Sequence, residues 1–153
     1  MTAPVLTFEE GLPQAGQLFP DHVLPPDPAA GAALIFALDS RYMWRPVSVR
    51  FLLSTDANVA NRFASVDYCD PEGTAWVRNP ALAVQAAGVA NQEYDFSQRA
   101  LAVSGIAGQP QFASLIRAWI PGGWQLRVNV GNVQVGDTIK TTRLYVEKFE
   151  AIA

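Results

Sequence analysis

A chain of 153 residues, half of them apolar and only 16% charged, is long enough for one domain with a substantial core and too apolar to stay disordered. Its net charge of −3 conceals a split. Residues 1–30 carry Glu9, Glu10, Asp21 and Asp27 with no Lys or Arg, whereas residues 31–153 hold all eleven basic residues against the other ten of the fourteen acidic ones. A nearly neutral body argues against nucleic acid as the main partner, since phosphate binding needs a basic excess.

The first thirty residues read as an extended arm, with a β domain over 31–153. Pro4, Pro13, Pro20, Pro25, Pro26 and Pro28 recur too often for a helix or a central strand, because each removes a backbone donor and biases its predecessor toward extended geometry. Fully extended, such a segment reaches on the order of 90 Å. It is not a plain solvated linker, because it carries Val5, Leu6, Phe8, Leu12, Leu18, Phe19, Val23 and Leu24. Exposed apolar groups on that scale mark a docking surface. Two routes are open: the arm docks on another subunit, or it folds back over a sheet edge of its own domain.

From Ala32 onward the chain reads as strands. Ala32–Leu38 is an apolar run of strand length ended by Asp39 and Ser40. In Pro46–Ser54, Val47, Val49, Phe51 and Leu53 share one face, opposite Ser48 and Arg50; in Arg62–Tyr68, Ala64, Val66 and Tyr68 fall together. Thr74–Val77 follows the turn signal Asp70-Pro71-Glu72-Gly73. Residues 80–90 form the one helix candidate, short and ended by Gly88. Asn91–Phe96, Ala100–Val103 and Phe112–Ile120 are further strand candidates, the last closed by Pro121-Gly122-Gly123. Trp124–Val130 alternates most cleanly, and Thr138–Phe149 groups Thr142, Leu144 and Val146 opposite Arg143, Tyr145 and Glu147. Period-2 alternation of this kind indicates half-buried antiparallel strands. Seven to nine short strands with turn chemistry between them predict an all-β, antiparallel two-sheet sandwich of jelly-roll type.

The same residues offer little chemistry. His22 is the single histidine and sits in the arm, so a Ser-His-Asp site, or a cupin-like metal site that needs several histidines, lacks its parts. Cys69 is the single cysteine, beside acidic groups that dull a thiolate, and forms no internal disulfide. Asp67, Asp70 and Glu72 are hard-cation ligands by type, but their spacing departs from the EF-hand pattern, and Asp-Pro-Glu-Gly is a good β-turn. Glu93 and Asp95 share a strand face, as a glycosidase carboxylate or as a solvated pair. Pro121-Gly122-Gly123 lacks the lysine and helix of a phosphate loop. Trp44, Trp76, Trp119 and Trp124 serve core or subunit contacts or stack on sugars, with Trp44 placed as a possible interface residue. The N-terminus lacks the basic region of a signal peptide, and the longest apolar run, Ala29–Leu38, is about half a membrane span. These features predict a non-enzymatic protein, without cofactor, metal, nucleic-acid or membrane partner.

Two stretches carry a family likeness. Trp44-Arg-Pro-Val-Ser-Val-Arg-Phe-Leu-Leu-Ser-Thr-Asp-Ala-Asn-Val-Ala-Asn-Arg62 resembles the opening of small β-sandwich virion proteins of tailed bacteriophages. Gly123-Trp-Gln-Leu-Arg-Val-Asn-Val130, Gly136-Asp137 and Leu144-Tyr-Val-Glu-Lys148 are similar to the ending of the same group. The resemblance spans about a third of the chain, consists of strand and turn patterns, and leaves the arm outside it. It implies a capsid decoration (cement) protein located in the virion and made in the host cytoplasm, with a minor tail, fibre or carbohydrate-binding host-recognition module as the alternative. The implied partners are other copies of the chain, a closed trimer being one economical arrangement, and the major capsid protein or another virion protein.

Overall fold

The computed structural model describes residues 18–98 and 109–150. Nine strands form in chain order: β1 Phe19–Val23, β2 Leu34–Ala37, β3 Tyr42–Ser54, β4 Phe63–Cys69, β5 Ala75–Pro80, β6 Gln92–Ser97, β7 Gln111–Ser114, β8 Gln125–Gly131 and β9 Thr138–Glu150. One sheet runs β1-β9-β3-β6-β7 and the other β2-β8-β4-β5. Their inner faces meet in a single core of Val49, Phe51, Leu53, Val66, Tyr68, Phe96, Leu126, Val128, Leu144 and Val146, among others.

The pairing is a set of nested antiparallel hairpins: β4 with β5, β3 with β6, β2 with β8 and β1 with β9. Folding that four-layered hairpin across itself brings β9 against β3 and β8 against β4, giving the eight-strand jelly roll. β7 is an addition, paired in parallel with β6 at the sheet edge. The all-β sandwich expected from alternation is the observed fold, with no helix among the described residues.

Strand burial follows chemistry. Leu126, Val128 and Val130 turn inward on β8, and Thr142, Leu144 and Val146 do so on β9, as their alternation predicts. β3 departs from strict alternation, since Trp44 and Pro46 face inward at one end and Val49, Phe51 and Leu53 at the other. A register shift between Pro46 and Ser48 absorbs the extra residue, Val47, which is only half-buried rather than in phase with Val49. A second shift lies opposite Arg50–Leu52, where Thr141 on β9 adopts φ 49°. Phe51, Tyr94 and Phe96 stack along the core with centroids 5.2–6.4 Å apart.

Three expectations change. Residues 80–90 are not helical. Gln85 instead makes an antiparallel bridge to Arg62, its amide donates to the Leu53 carbonyl, and it accepts from the Tyr94 hydroxyl. Tertiary hydrogen bonds override a local helical preference here. Phe112–Ile120 is a strand only over β7, then touches β3 again through an isolated bridge between Ile120 and Trp44. The boundary at residue 31 also moves: Phe19–Val23, inside the expected arm, is hydrogen-bonded to β9 as a full strand of the jelly roll. The Ala100–Val103 strand lies outside the described residues.

A buried ion pair ties the loop before β4 to the loop before β9. Arg62, fully buried, donates through Nε and Nη2 to both carboxylate oxygens of Asp137 at 2.9 and 3.0 Å, and through Nη2 to Asp56 at 2.6 Å. Its Nη1 donates to the carbonyls of Asn58 and Ala60. All five guanidinium hydrogens are thereby used, which offsets the cost of burying the charge. Asp137 also accepts the backbone N–H groups of Asp56 and Gln134, fixing the loops before β4 and β9.

Candidate functional site: the anchored arm and the exposed faces

β1 fixes residues 19–23 of the expected arm to the body. Its backbone runs antiparallel to β9, Phe19 opposite Lys148 and Val23 opposite Leu144, and Val23 packs on the core. Asp21 makes an ion pair with Lys148, whose ammonium also lies 5.0 Å from the ring centres of Tyr42 and Trp44. Further on, Asp27 accepts the backbone N–H of Thr141 at 2.7 Å, at the β9 bulge. Between these anchors Leu24 is 66% exposed, and Leu18 before β1 is 48% exposed. Residues 19–23 thus take the fold-back route, while Leu18 and Leu24 keep apolar surface open. Val5, Leu6, Phe8 and Leu12 lie outside the described residues.

The tryptophans divide. Trp44 is core, not rim: it is 3% exposed, its indole N–H donates to the Asp39 carbonyl at 3.0 Å, and Phe36 and Tyr42 meet it edge-on. Its β3 position, in phase with buried Pro46, sets that orientation, so the sequence placement of Trp44 as an interface residue is corrected for the single subunit. Trp76 is the outward one, 68% exposed. A bulge between Tyr68 and Cys69 leaves it unpaired on β5, beside Trp124 at 6.4 Å, its indole donating to Asp70 at 3.0 Å. Trp119 stands on the other sheet, over the Arg45 guanidinium and edge-on to Phe149.

The acidic candidates Asp70, Glu93 and Asp95 are committed to structural contacts. Asp70 accepts Thr74 N–H and Trp76 Nε1–H, and Gly73 N–H returns to the Asp70 carbonyl, which makes Asp70–Thr74 a closed turn. The Trp76 hydrogen bond holds the Asp70 carboxyl below its ordinary range. Burial pushes the Cys69 thiol up against the opposing pull of Arg127, the wrong direction for a nucleophile. Glu93 and Asp95 both hold Arg50, at 2.5 and 3.2 Å. Burial raises the Asp95 carboxyl while Arg50 draws it back. His22 is exposed on β1, opposite Tyr145. Among the described residues no three His, Cys, Asp or Glu side chains gather as a metal site.

Sequence pattern alone did not bring Arg50 and Arg143 together. They are register partners across β3 and β9, on the outer face. With Leu52, Glu93 and Thr141 they line an open groove of about 290 Å³. Their alternation marked each as solvent-facing, but only the strand register, shifted by the Thr141 bulge, makes them neighbours.

No family model matches the chain, and no curated protein matches it. A solved structure of infectious bursal disease virus, Gx strain, is similar over 97% of this chain at 8% identity and a TM-score of 0.40, the chain spanning 37% of that chain's length.

Proposed function

We propose that the chain is a non-enzymatic structural protein of a virion, acting as a capsid decoration (cement) protein of a tailed phage. The observation that carries the reading is β1. An edge strand fixed to β9 holds the start of an acidic, apolar arm at a defined point on a rigid jelly roll, with Leu18 and Leu24 left exposed beside it. Such an arm bridges neighbouring subunits, and each tethered contact gains from high effective concentration. Deleting residues 2–17, which spares β1, is expected to leave thermal unfolding unchanged and to abolish co-sedimentation with purified phage heads that lack the protein. Undiminished co-sedimentation refutes the clamp.

Trp76 supports a second reading, a glycan-binding host-recognition module. An indole 68% exposed, with Trp124 beside it and the polar groups of Asp70 at its edge, suits stacking on a sugar ring. Binding to bacterial surface glycans on an array that disappears in Trp76→Ala supports it. Silence of the native protein across the array counts against it. Stability is expected to change by less than about 0.5 kcal/mol in either case, because the side chain is on the surface.

A further inference from the structure

We propose that the Arg50–Arg143 groove is the receptor for the acidic segment Glu9-Glu10 of a second copy of this chain. The inference rests on the arm being an assembly device and names where it lands.

Two guanidinium groups directly opposite each other on adjacent strands repel. Arg50 is neutralised by Glu93 and Asp95, whereas Arg143 has no carboxylate partner among the described residues, and neither has exposed Lys140, which sits beside it opposite Leu52. Among the described residues Arg143 and Lys140 thus stand outside any ion pair, with the Asp27 carboxylate held at the intervening Thr141 N–H. The groove's shape comes from the Thr141 bulge, a feature that re-aims side chains at binding surfaces.

The arm supplies the matching charge. It has four acidic residues and no basic ones, and both acids in its described part already bind β9: Asp21 at Lys148 and Asp27 at the Thr141 N–H. Glu9 and Glu10 are the remaining pair. A carboxylate suits arginine, which binds its two oxygens through two parallel hydrogen bonds.

Strand direction selects a neighbouring copy. From Val23 back to Phe19 the chain moves from Leu144 toward Lys148, away from Arg143. At about 3.4 Å per residue, Arg143 lies roughly 17 Å behind the point of departure. At Phe19 the described strand thus points away from the groove of its own copy. Exchange of arms around a closed ring then satisfies every groove.

The test is self-association of the full chain by sedimentation velocity, with unfolding followed to confirm an intact body. Arg143→Glu, and separately the pair Glu9→Arg with Glu10→Arg, are expected to weaken self-association about tenfold or more, and the triple variant to restore it. Carbodiimide coupling of a mixture of light and heavy-isotope protein is expected to join Glu9 or Glu10 of one copy to Lys140 of the other. A native protein that stays monomeric, an unchanged association of Arg143→Glu, or couplings confined to one copy overturns the proposal. If deletion of residues 2–17 abolishes head binding while Arg143→Glu changes nothing, the clamp stands and this groove is wrong. If the deletion changes nothing either, both fail.

Discussion

Asp137→Ala is expected to lower stability by about 3–5 kcal/mol, the usual cost of leaving one member of a buried ion pair behind. The variant leaves Arg62 fully buried with a single remaining carboxylate, Asp56, and orphans the backbone N–H groups of Asp56 and Gln134. For a domain of this size the melting temperature drops on the order of 10 °C. Asp137→Asn keeps the volume and one acceptor and is expected to fall in between. Burial alone would raise the Asp137 carboxyl, but the hydrogen bonds from Arg62, Gln134 and Asp56 outweigh it and hold it below 3.8. A carboxyl lowered on folding contributes stability that is complete above its unfolded pKa and lost as pH falls through its folded one. The difference between native protein and Asp137→Ala in urea unfolding is therefore constant from neutral pH to about pH 5 and shrinks below about pH 4. A difference independent of pH down to acid unfolding contradicts the ion-pair account.

Trp44→Ala is expected to cost about 3–5 kcal/mol, the range for truncating a large buried aromatic side chain. The indole closes one end of the sandwich, between Phe36, Tyr42 and the Lys148 ammonium, and its N–H has a partner in the Asp39 carbonyl. Its backbone exchanges two hydrogen bonds with Ile120, at 2.9 and 2.7 Å, so the cavity opens where the β7–β8 connection is tied down. Beside it Gly122 lies so close to the Asp39–Ser40 turn that a Cβ would sit 2.5 Å from the Ser40 Cα, which leaves this end little room to relax. Denaturant melts of Trp44→Ala and Trp76→Ala make the comparison: a large loss for the first and almost none for the second. Equal small effects would mean that Trp44 is not core.

The strands were legible because burial on one face imposes period two, and β8 and residues Thr142–Val146 of β9 display it without interruption. The β4–β5 hairpin follows from the short turn after Cys69, whereas the outer pairs of the jelly roll join distant parts of the chain. What pattern could not supply was register. The bulges at Val47 and Thr141 each insert one residue, which reverses the inward set midway along β3 and β9. Residues 80–90 misled for a related reason: their Ala-rich composition favours a helix, while Gln85 is held by Arg62, Leu53 and Tyr94 from distant parts of the chain. The burial of Arg62 had no local signal, because its partner Asp137 lies 75 residues away. That Phe19–Val23 of the expected arm joins the sheet required the β1 register, since Pro20 is tolerated only because β1 is an edge strand.

The pairing of β1 with β9 also has a temporal consequence. Asp21 and Lys148 are 127 residues apart, so the first strand cannot find its place until the last one has been made. Contacts that distant form late and slowly. During synthesis the inner sheet pairs assemble first, while the acidic segment waits unattached. On the ribosome, then, β1 has no partner strand, and the outer edge of this sheet closes only when Thr138–Glu150 has emerged.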